Sequence, residues 1–166
     1  MRSPAAILLV LVIFSACKVK YTLSGQSIPA NAKTVSVGYF VNRAALANPT
    51  FSQIMTESLK DKFIRETKLQ LTTGQADLEF SGSVTGYNVA PLAVQGNETA
   101  ALNRLTVTIS VTYNNNLDEK QNFNSSFSRF SDFPSNASLS SVEAQLIQDI
   151  VLQLTQDVFN KAFINW

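Results

Sequence analysis

The chain reads as an α+β two-layer sandwich: a four-stranded, mostly antiparallel sheet with two helices on one face, in the order β-α-β-β-β-α. Three observations predict it. Apolar residues recur at i, i+4 spacing in two segments, about residues 50–67 and 141–163. Residues 102–113 alternate between apolar and mostly hydroxyl-bearing side chains. Turn formers, chiefly Asn, Asp, Gly and Pro, separate the periodic segments.

The order opens on a leader. Met1-Arg2 precedes an apolar run from Ala5 to Phe14, and the small residues Ser15 and Ala16 stand directly before Cys17. That is the arrangement of a secretory signal peptide covering residues 1–16. The run is too short to span a bilayer, which takes roughly 20 residues. A cysteine directly behind such a run has no core to enter and looks like a bacterial lipobox. Its thiol would take a diacylglycerol, the leader would be cut before it, and the new amino terminus would be acylated. Phe14 departs from the commoner Leu at that position. More than one acyl chain, at roughly 0.8 kcal/mol per buried methylene, holds a protein on a membrane far more firmly than a single myristate.

Residues 17–32 form a lipidated N-terminus and tether, polar and aperiodic, with Ser24-Gly25 and Pro29. Residues 33–166 form one domain. Its first strand runs from Lys33 to Phe40, with Val35, Val37 and Tyr39 on one face. Asn48-Pro49 ends that segment, and Thr50 with Gln53 makes a capping box for the first helix. There Phe51, Met55, Leu59 and Phe63 make the stripe, while Lys60, Lys62 and Arg65 form a basic face best read as solvated. The second strand, Asp77–Val89, carries Leu78, Phe80 and Val84, with Gly82 and Gly86 marking a close approach or a bulge.

After a loop around Pro91–Thr99 the third strand gives the cleanest signal. Leu105, Val107, Ile109, Val111 and Tyr113 face one way, with Thr106, Thr108, Ser110 and Thr112 opposite. The fourth, Gln121–Phe133, places Phe123 and Phe127 on one face, and Phe130 breaks that parity, which calls for a bulge or an exposed aromatic. Ser140 and Glu143 form a second capping box, and Val142, Leu146, Ile150, Leu154 and Val158 make the stripe of the last helix. Trp166 lies past that helix, either sealing the end of the core or reaching for a partner.

Composition excludes several function classes. Removing the leader leaves 150 of 166 residues and takes away only Arg2, so 13 basic residues fall to 12 and match the 12 acidic ones. That balance gives no support to nucleic-acid binding. A lone cysteine forms no disulfide within the chain. There is no histidine, which removes Ser-His-Asp, Cys-His and His-metal chemistry; no metal site and no cofactor beyond the lipid on Cys17 is expected. Asp77, Glu79 and the pair Asp118-Glu119 are the carboxylates worth weighing for catalysis; their ordinary role is at turns and strand edges. A glycosidase needs two carboxylates converging at ~5–9.5 Å, and nothing in the spacing suggests a pair. No catalytic residue and no enzymatic activity is expected.

Several segments together resemble a family. Gly25-Gln26-Ser27-Ile28-Pro29 lies near the tether, Asp77-Leu78 opens the second strand, and Asn103-Arg104-Leu105-Thr106-Val107 opens the third. Phe159-Asn160-Lys161-Ala162-Phe163-Ile164-Asn165-Trp166 closes the chain. With the lipobox and the element order, this set resembles LptE, the lipoprotein of outer-membrane lipopolysaccharide assembly, in its Bacteroidota-type branch. The resemblance implies an outer-membrane protein, lipid-anchored and facing the periplasm, that plugs a large β-barrel of LptD type while lipopolysaccharide passes to the outer leaflet. Family members contact lipopolysaccharide through basic residues; here Arg104 and Arg129 are candidates on electrostatic grounds. The alternative is a free-standing periplasmic lipoprotein that binds a glycolipid or glycan on a patch of Tyr87, Phe130, Phe133 and Arg129. Lys18-Val19-Lys20 after the cysteine lacks the acidic residues of known retention and surface-export signals, which again places the domain in the periplasm.

Overall fold

The computed structural model describes residues 28–92 and 102–164. The leader, Cys17, most of the tether and Trp166 lie outside the described residues. The elements in chain order are β1 (Thr34–Val37), β2 (Val41–Asn42), α1 (Pro49–Glu66), β3 (Gln70–Thr72), β4 (Leu78–Pro91), β5 (Leu102–Asn115), a 3-10 turn (Glu119–Gln121), β6 (Phe123–Pro134) and α2 (Leu139–Phe163).

Two helices on a sheet were expected, and the helices and three long strands stand within a few residues of their expected bounds. The sheet itself is different. It is mixed and has six strands, in the order β3-β1-β4-β5-β6, with β2 pairing beside β4. β1 runs parallel to both β3 and β4, whereas β4, β5 and β6 form an antiparallel meander. The expectation of four mostly antiparallel strands fails for two reasons. β2 and β3 have two and three residues, too few to show alternation. The parallel pairs arise because α1 carries the chain back before β3 starts, as parallel neighbours require.

The first strand also stops early. Val35 and Val37 face the core, but the chain leaves the sheet after Val37, so Phe40 is buried in place of Tyr39, which is 60% exposed. Phe40 packs against Gly82: a Cβ there would lie 2.5 Å from Phe40 Cε1 and 2.7 Å from the Ser110 carbonyl oxygen. Gly82 therefore marks the close approach and Gly86 the bulge, since the β4–β5 register shifts between Val84 and Gly86. That shift switches the inward parity of β4 from Leu78, Phe80 and Val84 to Tyr87.

β5 follows its pattern: Leu105, Val107, Ile109, Val111 and Tyr113 are all fully buried under the helices. Both helices cover that one face, α1 through Phe51, Met55, Leu59 and Phe63, and α2 through Leu146, Ile150, Leu154, Val158 and Phe163. Burying each such side chain contributes roughly 1.5–3 kcal/mol. An aromatic group closes the end of the core where the helices finish: Phe80 stacks on Tyr113 at 4.7 Å between centroids, with Phe63, Phe159 and Phe163 around them.

Neither capping box forms. Asn48 caps α1, its Oδ1 accepting from the Thr50 N–H at 3.0 Å, with Pro49 in the first turn where its missing N–H costs nothing. At α2 the cap position is Ser138, which makes no side-chain cap bond. Glu143 turns elsewhere: Oε1 accepts from the Tyr87 hydroxyl and Oε2 from Asn48 Nδ2 at 2.9 Å.

Candidate interaction surface

The sheet face away from the helices is built by the alternate positions of the meander. Register aligns Ser81 with Thr112 and Asn124, Ser83 with Ser110 and Ser126, and Thr108 with Ser128. Ser110 Oγ meets Asn124 Oδ1 at 3.3 Å and Thr108 Oγ1 meets Ser128 Oγ at 3.1 Å. This ladder of hydroxyls and amides follows from the strict alternation of β5, and its Thr- and Ser-rich character was expected.

Arg104 belongs to this outer face. It stands opposite Asp132 and binds it through two parallel bonds, Nε to Oδ1 at 2.7 Å and Nη2 to Oδ2 at 2.9 Å. Its guanidinium also lies 3.5 Å from the centroid of the Phe130 ring. Phe130 is thus an exposed aromatic, at 46%, in an unbroken β5–β6 register and without a bulge. The hydrogen bonds from Arg104 hold the Asp132 carboxyl below the usual aspartate range.

Arg129 has the opposite parity and sits on the helix side of β6. Its Nε reaches Asp157 Oδ2 at 2.5 Å and its Nη2 reaches Oδ1 at 2.6 Å, pinning the sheet edge to α2. The two candidate arginines therefore lie on different faces and each is held by an aspartate. Exposed pairs of this kind contribute about 0–1 kcal/mol each. The aromatic patch dissolves as well: Tyr87 and Phe133 are buried beneath the helices, while Phe130 points to the other side.

The weighed carboxylates hold structure together. Asp77 Oδ2 accepts from the Lys33 and Thr34 N–H groups at 2.8 and 3.0 Å and from the Thr34 hydroxyl at 2.9 Å. The bonds from the Lys33 N–H and from Thr34 hold its pKa below the usual aspartate range. Glu79 accepts from the Ala76 N–H and from Asn116 Nδ2, each at 3.1 Å, and Asp118 caps the 3-10 turn. Among the described residues no group of three His, Cys, Asp or Glu side chains is placed to hold a metal ion.

At the β2 side the outer face deepens into a cleft of about 420 Å³, lined by Tyr39, Val41, Arg43, Ser81, Ser83, Ser110, Thr112 and Asn124. The sequence pattern assigned Tyr39 to the core face and did not single out Arg43. The available clue was their i, i+2, i+4 spacing with Val41, which places all three on one side of an extended segment.

These features define a small two-layer α+β domain with one helix-covered sheet face and one open polar face. A family model for LptE, described as lipopolysaccharide-assembly, matches residues 32–162, and the chain belongs to that family. Among solved structures, a DUF330-family protein from Xanthomonas campestris superposes with a TM-score of 0.52 at 13% identity, covering 81% of this chain and 87% of that one. The likeness is one of fold. Uncharacterized lipoprotein B from Nitrosomonas europaea gives a TM-score of 0.47 at 11% identity, over 77% of this chain and 80% of that one. A minor lipoprotein from Acinetobacter baumannii gives 0.46 at 14% identity, over 80% and 96%. No curated protein sequence matches the chain.

Proposed function

We propose that this protein is an outer-membrane lipoprotein, anchored through lipid on Cys17, that assembles with and plugs an LptD-type lipopolysaccharide-exporting β-barrel. The observation that carries the reading is the family match across residues 32–162, nearly the whole of the domain. Two features accord with it. Among the described residues no helix is long and apolar enough to cross a membrane; in this reading the lipid signal ahead of the domain supplies the attachment. The core is closed on the helix side, and the opposite sheet face offers a continuous row of polar side chains to a barrel lumen. The protein works by packing and orientation and carries out no covalent chemistry.

Depletion in cells tests the reading. Loss of the protein should strip newly made lipopolysaccharide from the cell surface, and Cys17→Ser should release the protein from the outer-membrane fraction. Surface lipopolysaccharide that persists at its normal level through depletion would reject the assignment.

A further inference from the structure

We propose that β6, the long free edge of the sheet, pairs antiparallel with β6 of a second copy of this chain, with the two-fold axis at Ser128. The inference concerns the protein free of any barrel and does not draw on the proposed function.

β3 ends one side of the sheet with three residues, Gln70–Thr72. β6 ends the other with twelve, Phe123–Pro134, and among the described residues only β5 pairs with it. Every second residue of such a strand turns its backbone N–H and C=O outward, where another extended strand can take them up. The usual guards are missing from this edge. The β5–β6 register is unbroken, the strand holds no lysine, and its one proline stands at the last position. The mid-strand charge, Arg129, is drawn over to Asp157 of α2.

Self-complementarity identifies the partner. Residues 123–133, Phe-Asn-Ser-Ser-Phe-Ser-Arg-Phe-Ser-Asp-Phe, read nearly alike in both directions about Ser128. A two-fold axis there sets each residue against one that points to the same face, as an isologous antiparallel pair requires. On the helix side Phe123 stands opposite Phe133 of the second copy, Ser125 opposite Ser131, and Phe127 opposite Arg129, a ring against a guanidinium. On the outer face Asn124 stands opposite Asp132, and Ser128 opposite itself. Cross-strand pairs of these kinds stabilise a sheet. Each Arg129 arrives with its own Asp157, so no net charge collects near the axis. The neighbouring registers lose the match. An axis at Arg129 puts two like charges directly opposite, and one at Phe127 sets Phe123 against Ser131 and Asn124 against Phe130.

The test is sedimentation equilibrium of the purified full-length lipoprotein in density-matched detergent micelles. The expected result is a reversible monomer–dimer equilibrium. Its dissociation constant should rise at least tenfold in Ser128→Lys, which sets two ammonium groups face to face. Ser128→Cys should close a disulfide between copies under mild oxidation, since the two side chains meet at the axis. Ser126→Cys should not. Its counterpart lies four residues along the strand, about 13 Å away, beyond the roughly 4.4–6.8 Å between Cα atoms that a disulfide spans. The wild type under the same oxidant accounts for Cys17. Ser126 and Ser128 are both exposed, so each variant should melt near the wild type. Three results would each overturn the inference: a protein that stays monomeric at every concentration, a dimer that Ser128→Lys leaves equally tight, or crosslinking as fast at position 126 as at 128.

Discussion

Asn48 and Glu143 are joined by a 2.9 Å hydrogen bond across 95 residues of sequence, which ties the start of α1 to the start of α2. Glu143 also accepts from the buried Tyr87 of β4, whose pKa is raised by burial and by that bond. One carboxylate thus fastens both helices to the sheet at one end of the domain. Glu143→Ala leaves the Tyr87 hydroxyl and the Asn48 amide without their partner, and should cost about 1–3 kcal/mol in a urea unfolding experiment. A midpoint equal to the wild type would mean that water replaces the link without penalty.

Leu154 is fully buried in the middle of the α2 stripe. Leu154→Ala should lower stability by roughly 2–5 kcal/mol, the cost of lost burial plus a residual cavity. Differential scanning calorimetry measures it directly.

Gly82 should not tolerate a methyl group. Phe40 and the Ser110 backbone carbonyl both lie inside contact distance of a Cβ there, and the carbonyl cannot swing aside. Gly82→Ala should cost about 1–3 kcal/mol through overpacking. The double variant Gly82→Ala with Phe40→Leu should recover less than all of that loss, because the carbonyl contact remains.

Asp77 gives the fold a pH signature. Its carboxyl is held below the usual aspartate range by the Lys33 N–H and by Thr34, so its folded pKa lies below the unfolded one. The stabilisation is then present above the unfolded pKa and is lost as pH falls through the folded one. Asp77→Asn should unfold at a lower temperature than the wild type at pH 7, and the gap should close in strong acid. A gap that stays constant down to acid pH would remove the charge from the explanation.

How much of this was legible in the sequence follows from length and pairing. β5 was plain because nine residues, Leu105–Tyr113, alternate and its two faces meet different surroundings, and α1 and α2 were plain because their stripes repeat over several turns. β2 and β3 left no periodic trace at two and three residues. Tyr39 was assigned to the core because Val35 and Val37 share its parity, and only the bend after Val37 gives that place to Phe40. Arg104 and Arg129 stood out as charges, but their partners were hidden. Asp132 comes opposite Arg104 only through the hairpin register, and Asp157 reaches Arg129 only once α2 lies over β6. The cleft formed by Tyr39 and Arg43 depends on all three of these: a bend, a short strand and a register.

The central claim is partnership with a lipopolysaccharide-exporting barrel, and affinity purification from detergent-solubilised outer membrane tests it most directly. The tagged full-length protein should bring down an LptD-type β-barrel in equimolar amount, and the complex should survive gel filtration. Recovery of the lipoprotein alone, from membranes in which that barrel is present and intact, would contradict the account.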